Sequence, residues 1–267
     1  MSTFLADVRE TLAPRDDARH GPLSPLLIAM TAVTGLVDAY SFLALGHVFV
    51  ANMTGNVLFL GFALAGAPGF SISATLLALG AFIIGGFIGG ALAARHGAHR
   101  GRLLTIAAAT QTLLMLGAVL LALTAGIPIP IVHGHALAAL LGAAMGLQNA
   151  TVRKLAVPDL PTTVLTLTLI GVPADSQLVG GSGSHAGRRL VAVAAMLLGA
   201  LIGALLLVHG AAVLPLVIAA ILIGGVAIAT YALARANPPW VYDSPPDEAK
   251  EEDQTSAATN IRKGGTA

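Results

Sequence analysis

The stretch VTGLVDAYSFLALGHVFVANMTGN, residues 33–56, places two polar features in an otherwise apolar run. Asp38 lies within a segment long enough to span a membrane, and the sequence NMTGN at 52–56 opens the next apolar segment. A carboxylate at bilayer depth costs at least about 2.5–3.5 kcal/mol on the insertion scale, so it persists only with partners or in a water-lined cavity. Both features therefore predict a specific role inside a membrane domain.

The composition is that of a helical integral membrane protein. Of the 267 residues, 56% are hydrophobic and 10% are charged, whereas a soluble domain carries about 25% charged residues. The 31 glycines suit helices that pack closely in lipid. Cysteine is absent, so no disulfide can form. The formal net charge of +1 gives no reason to expect nucleic acid as a partner.

Six segments have the roughly 20 apolar residues that a spanning helix needs. They are 25–46, 72–94, 103–125, 134–153, 188–209 and 212–235. Two shorter apolar segments, 53–66 and 161–172, begin at Thr-containing turns and end near Gly and Pro. The sequence predicts an all-α polytopic membrane protein with six transmembrane helices and two short re-entrant or half-helix segments. Eight full spans are the alternative.

The distribution of positive charge favours the six-span topology. Lys and Arg cluster at 95–102, 153–154, 188–189 and Arg235, whereas the connections 126–133 and 209–212 carry none. If the two short segments dip in and return, all the basic clusters lie on one side. The positive-inside rule then predicts that both termini lie in the cytoplasm.

The two ends of the chain are predicted to lie outside the membrane domain, which covers 25–235. Residues 1–24 form a cytoplasmic arm, either solvated or folded into a short interfacial helix. Residues 236–267 are polar and Pro-rich, which is typical of a disordered tail. Trp240 and Tyr242, just past the last apolar run, are suited to the headgroup level.

The order of long and short segments occurs twice, which indicates two homologous halves at about 25–125 and 134–235. TGLVDA at 34–39 aligns with MGLQNA at 145–150, so that Asp38 corresponds to Asn149. The further matches are Thr54 with Thr162, Gly85 with Gly199 and Gly89 with Gly203. Three crossings per half predict an inverted 3+3 repeat, an architecture common among transporters. Chance similarity between Ala- and Leu-rich helices is the alternative.

The candidate substrate- or ion-binding residues lie at the starts of the short segments and on the helices beside them. They are Asp38, Asn52, Thr54, Gly55, Asn56, Gln148, Asn149, Thr162 and Thr163. A helix N-terminus offers free N–H groups to an anion or a polarised oxygen. Thr54 is suited to cap the first short segment, and Gly55 allows close approach.

The alternative for the same residues is structural. Thr and Asn side chains satisfy backbone groups at a re-entrant turn, since lipid cannot. In that case Asp38 bonds to Thr34, Asn52, Thr54 or Asn56.

No nucleophile elbow, P-loop or HExxH motif occurs in the sequence, so no enzymatic activity, cofactor or metal site is expected. The stretch GLVDAYSFLALGHVFVANMTGN, with GLQNATVRKL and PTTVLTLTL further on, resembles the YoaK family of bacterial inner-membrane proteins over about 25–235. That family is a domain of unknown function. The resemblance implies about six spans and a permease-like protein. Thr168-Leu169 departs from the Thr-Gly that is usual in the family at the second short segment.

The function expected from these observations is that of a secondary transporter or channel for a small solute, with Asp38 as a proton- or cation-coupling group. A non-transporting membrane scaffold, sensor or assembly factor is the alternative. The partners expected are the lipid bilayer and an unidentified small solute or ion, and a homo-oligomer is left open.

Overall fold

The computed structural model describes residues 2–14, 20–126, 129–158, 160, 162–163, 165–174 and 186–242, and these form nine α-helices. They are α1 (Ser2–Leu12), α2 (Leu23–Ala44), α3 (Met53–Leu64), α4 (Ile72–His96), α5 (Arg100–Ala125), α6 (Ile131–Leu155), α7 (Leu165–Ala174), α8 (Ala186–Val208) and α9 (Leu214–Ala234). Most bounds lie within three residues of the predicted ones. Helix α7 starts later than predicted because Thr162 has a φ of 53°, which is outside the helical region.

Six of the helices are long and apolar enough to cross a membrane, as predicted: α2, α4, α5, α6, α8 and α9. Their 21 to 26 residues correspond to roughly 32–39 Å at 1.5 Å per residue, which exceeds the roughly 30 Å hydrocarbon core. Large apolar side chains on their outer faces are exposed, for example Phe87 at 75% and Leu197 at 66%. Such faces are suited to contact with lipid.

The ends of the six long helices form two distinct ends of the bundle. The basic end carries the turn at 97–99, the C-termini of α6 and α9 and the N-terminus of α8. There, Gly97 lies against Lys154 and Gly101 lies against Ala234. The neutral end carries the opposite helix ends. At that end Ser73 near the start of α4 contacts His135 near the start of α6, with 3.3 Å between Oγ and Nε2.

Each short helix lies between two long helices whose adjoining ends are at the same end of the bundle. The chain leaves α2 and enters α4 at the neutral end, with α3 between them, and it leaves α6 and enters α8 at the basic end, with α7 between them. The 12 residues of α3 and the 10 of α7 measure roughly 18 and 15 Å, too short to cross the core. The two short helices are therefore re-entrant segments from opposite ends.

The closest helix contacts occur at glycines in two pairs, α2 with α8 and α4 with α6. A Cβ on Gly35 would clash with the carbonyl oxygen of Met196, and one on Gly146 would clash with that of Phe82. The other such pairs are Gly199 with Ala32, Gly85 with Ala143, Gly203 with Leu36 and Gly89 with Leu147. The four glycines that align between the two predicted halves, Gly85, Gly89, Gly199 and Gly203, are thus all close-contact positions. Small residues at these positions let the backbones approach.

The two helix pairs make the same contacts at a constant shift in numbering. Each α2 residue in these contacts has its α6 counterpart 111 positions later in the chain. Each α4 residue has its α8 counterpart 114 positions later. The starts of α3 and α7, Met53 and Leu165, are 112 apart. By helix position Thr54 therefore corresponds to Thr166, and the predicted match of Thr54 with Thr162 is out of register.

Both terminal segments fold onto the membrane bundle where they are described. Residues 2–12 form the helix α1, which packs on α8, so that of the two forms predicted for the arm the helix is observed. After α9 a 3₁₀ turn, Pro239–Val241, places Trp240 against Gly21 and Gly101 with 4% of its surface exposed. Folded structure thus continues to Tyr242, beyond the predicted start of the tail at 236. Residues 243–267 of that predicted tail lie outside the described residues.

Candidate functional site

Asp38 fixes the segment that leads into α3. Its Oδ1 atom accepts hydrogen bonds from the backbone N–H groups of Val50, at 3.0 Å, and Ala51, at 2.8 Å. The side chain is 8% exposed. Asp38 lies six residues before the end of α2, which is roughly 9 Å along the helix axis. The start of α3 is therefore held about 9 Å inside the neutral end of α2, and the carboxylate satisfies two amides that lipid cannot.

Two asparagines complete this turn. Asn56, which is fully buried, accepts from the N–H of Phe49 at 2.9 Å and donates to its carbonyl oxygen at 2.6 Å. Asn52 is the N-cap of α3, because its side-chain oxygen accepts from the N–H of Gly55 at 3.3 Å. The backbone groups of the turn are thus paired with side chains from α2 and α3.

Thr54 does not have the capping role that its position in the sequence suggests. The cap is Asn52, and the Thr54 side chain is exposed on the outer face of α3. Gly55 does allow close approach, since a Cβ there would lie 2.8 Å from the ring of Phe49. The structure therefore brings Asp38, Asn52, Gly55 and Asn56 together and leaves Thr54 outside the cluster.

An aromatic cluster covers the same turn on the neutral side. It contains five of the eight phenylalanines and one histidine: Phe42, His47, Phe49, Phe59, Phe62 and Phe70. Ring centroids are 5.0 Å apart for Phe42 with Phe49 and 5.5 Å apart for Phe49 with Phe59. These contacts anchor α3 to α2 and to the loop before α4. The sequence analysis did not identify the cluster, because its members are spread over 29 residues with no helical period.

A second polar cluster centres on Gln148 of α6. Its Nε2 atom donates to the hydroxyl of Thr34 at 3.0 Å and to that of Thr162 at 3.3 Å, and its Oε1 atom accepts from Nε2 of Gln111 at 2.7 Å. Thr34, Gln111 and Gln148 are each fully buried. Thr34 and Gln111 both lie near the middle of their helices, so this cluster is at the centre of the bundle.

The segment before α7 is held by two neighbouring residues of α6. Asn149 donates from Nδ2 to the hydroxyl of Thr163 at 2.8 Å, while Gln148 holds the adjacent Thr162. Thr162 is 1% exposed and has a positive φ of 53°. A β-branched residue in that region is a true outlier, and such strain persists only where the surroundings impose it.

The two clusters adjoin through α2. Thr34 and Asp38 are four residues apart on one helix, so they lie on the same face about 6 Å apart. A polar line therefore runs from the amide of Ala51 through Asp38 and Thr34 to Gln148, and from there to Thr162. It joins the start of the re-entrant helix from one end to the start of the re-entrant helix from the other.

One acceptor in the Gln148 cluster has no hydrogen-bond partner among the described residues. The Oε1 atom of Gln111 is buried, and no described residue donates a hydrogen bond to it. A buried amide oxygen without a partner costs roughly 1–3 kcal/mol, which a water or a solute donor would recover. Within the described part of the chain, no three His, Cys, Asp or Glu side chains converge to form a metal cluster.

Arg100, a member of the basic cluster at 95–102, is a further buried polar residue. It is 3% exposed and donates from Nη2 to the carbonyl oxygen of Leu155 at the end of α6, and Nη2 lies 3.2 Å from Nδ1 of His20. A cation at a helix C-terminus pairs with its unsatisfied carbonyl groups. Arg100 thus joins three elements at the basic end.

Comparison with known proteins agrees with this architecture. The profile of a family described as "Protein of unknown function (DUF1275)" matches residues 26–229, from α2 into α9. The chain is also similar to the UPF0700 transmembrane protein YoaK of Bacillus subtilis (strain 168), with 32% identity over 152 residues. That match covers 56% of this chain and 65% of the relative. No solved structure matches the chain.

Proposed function

This chain belongs to the DUF1275 family of proteins of unknown function, and on that premise we propose that it is a permease, a secondary transporter or channel for a small polar solute. The observation that carries the proposal is the polar line at the bundle centre, which joins the starts of two re-entrant helices from opposite ends. In transporters with discontinuous helices, solute sites lie near the midplane between such helix ends.

Gln148 is the residue we place at the centre of the solute site. It contacts α2, α5 and the segment before α7 at once, so a movement of any of the three changes the hydrogen bonds of its amide. The unpartnered Oε1 of Gln111 lies beside it and supplies an acceptor for a solute hydrogen-bond donor. The strained backbone at Thr162 supports the same location, since strain of this kind collects at ligand sites.

Asp38 is the proposed coupling group. It is the one acidic residue within the long helices described. Because it is one turn from Thr34, binding of a proton or cation to the carboxylate changes the electrostatic potential at the solute site. The aligned position in the second half is Asn149, which is neutral and holds Thr163. This difference between the halves gives the site one titratable member.

The paired glycine contacts support an inverted 3+3 repeat, with halves at about 25–125 and 134–235. The first helix of each half packs against the third segment of the other. We further propose a bacterial inner-membrane location with the basic end in the cytoplasm, since Lys and Arg concentrate there.

The alternative function is a non-transporting scaffold or assembly factor, and one observation favours it. Asp38 is 8% exposed, and its carboxylate accepts hydrogen bonds from the turn before α3. On this alternative the polar line serves only to hold the re-entrant segments, and no solute crosses.

Solute flux in liposomes distinguishes the two functions. The purified protein is reconstituted, and swelling is followed by light scattering after a shift into isosmotic glycerol, urea, potassium formate or potassium nitrate. We expect at least one solute to enter faster than in protein-free liposomes, and Gln148→Met to reduce that rate at least tenfold. Thr230→Val is the control, because Thr230 is equally buried but bonds only to its own helix at Val226.

Two results contradict the proposal. If Gln148→Met and the parent conduct equally, the path does not pass the central cluster. If the folded parent conducts none of the four solutes faster than protein-free liposomes, the scaffold alternative is favoured.

A further inference from the structure

A cavity of about 500 Å³ opens at the basic end, between the start of α5 and the end of α9. We call it the basic groove, and the residues that define it here are His99, Arg102, Ile106, Tyr231, Arg235 and Tyr242. It lies away from the central polar line, and the permease proposal makes no use of it.

The two arginines of the basic groove carry charges that no described acidic residue compensates. Both side chains are exposed, and neither guanidinium has an ion pair among the described residues. The Arg235 guanidinium carbon lies 5.5 Å from the centre of the Tyr231 ring, which holds it at the groove by a cation–π contact. Arg100, by contrast, turns inward and bonds to Leu155.

The polar wall of the groove is fixed by His99. Its Nδ1 accepts from the N–H of Arg102 at 3.0 Å, so that the neutral ring is protonated at Nε2, which donates to Oδ1 of Asn237 at 3.3 Å. An isolated β-bridge also joins His99 to Tyr242. The groove therefore has rigid walls at its polar end.

The other flank of the groove is apolar and continues toward the lipid. Ile106 lies on α5, and the face of α9 beyond Tyr231 carries Ile228, which is 72% exposed. A polar end with two arginines beside an apolar flank matches a phospholipid, whose phosphate needs the cations and whose acyl chain needs the apolar surface. A free phosphate ion would leave the apolar flank unused.

We propose that the basic groove binds an anionic phospholipid, with its phosphate between Arg102 and Arg235 and its acyl chain along α9. The site requires the basic end to face the anionic leaflet. It would anchor the end of α9 and the segment that follows it.

The test is lipid binding to the full-length protein, delipidated in detergent and measured by native mass spectrometry. Dioleoyl-phosphatidylglycerol is titrated against dioleoyl-phosphatidylcholine, and inorganic phosphate at 10 mM is added in a separate arm. One basic residue near an anionic surface contributes about a five-fold change in affinity, so removal of two in Arg102→Gln/Arg235→Gln is expected to weaken phosphatidylglycerol binding about 30-fold. The doubly substituted Arg102→Lys/Arg235→Lys should fall between, since charge stays but the planar fork is lost.

The matched control is Arg95→Gln/Arg153→Gln, which removes the same charge from two exposed arginines at the same end but outside the groove. We expect it to bind phosphatidylglycerol within about twofold of the parent. Equal loss in both double variants would overturn the proposal, because binding would then follow net charge alone. Equal binding of the two lipids, or displacement of phosphatidylglycerol by inorganic phosphate, would overturn the lipid assignment.

Discussion

Replacement of Asp38 by alanine should release the turn before α3. The substitution removes the acceptor of two hydrogen bonds and leaves the amides of Val50 and Ala51 inside the bundle without a partner. Each unsatisfied buried group costs about 1–3 kcal/mol, so the turn loses about 2–6 kcal/mol of stability against local opening. Each ~1.4 kcal/mol changes the equilibrium constant for opening tenfold. Protection of these amides against hydrogen exchange should therefore fall by about 30-fold to 10⁴-fold.

The assay is hydrogen–deuterium exchange with mass spectrometry on peptides that cover 45–53, in lipid nanodiscs. Asp38→Asn keeps an oxygen at the Oδ1 position, so protection should stay within about tenfold of the parent. On the proposed permease function, this variant should nevertheless lose coupled flux, because the titratable charge is gone. Ser41→Ala is the control: Ser41 is buried nearby on α2 and donates only to the carbonyl of Asp38, so the turn keeps its acceptor.

The reasoning is refuted if Asp38→Ala leaves the amides of 50 and 51 as protected as in the parent. The turn would then be held by Asn56 and the aromatic cluster alone. Full flux in Asp38→Asn would separately remove Asp38 from the coupling role while leaving its structural role intact.

Three other outcomes are expected. Gly85→Ala should lower the free energy of unfolding by about 1–3 kcal/mol through overpacking against α6, whereas Gly86→Ala, whose Cβ meets nothing within 4 Å, should be neutral in thermal unfolding; equal effects would refute the contact. In the cysteine-free chain, Ala98→Cys should resist a membrane-impermeant thiol reagent added to intact cells while Val132→Cys at the opposite end reacts; labelling of the first reverses the orientation. Asn56→Ala should cost at least about 2 kcal/mol, because both backbone groups of one residue in the turn lose their partner; an unchanged unfolding temperature would show that the turn is held by other contacts.

Much of the fold could be predicted from the sequence, because hydropathy and charge are properties of whole segments. A run of about 20 apolar residues specifies a span wherever it packs, and the charges at 95–102 and 153–154 specify which ends lie together. The glycine contacts could also be predicted, since a Gly at a four-residue spacing on an apolar helix has few other roles.

The partners within the site could not be predicted in the same way. The structural alternative in the sequence analysis had Asp38 bond to nearby polar side chains, but its carboxylate accepts from the backbone amides of Val50 and Ala51, a group that every residue except proline carries. The contact of Gln148 with Thr34 joins positions 114 apart and depends on how α6 is rotated against α2. The rotation of a helix about its axis is decided by packing. In a helix that is apolar on nearly all sides, the sequence pattern does not indicate which side faces which neighbour.

The packing of α2 against α8 has a consequence for synthesis. About 160 residues separate Gly35 from its contact at Met196, and at roughly 5–20 residues per second a ribosome needs about 8–30 s to make them. During that time the face of α2 that carries Gly35 lacks its partner α8. The polar side chains of Thr34 and Asp38 then lie in the insertion machinery or against lipid. Each of the two glycine-packed helix pairs takes one helix from each half of the chain. The N-terminal 125 residues made alone should therefore be degraded, and they should persist when the remainder is made beside them.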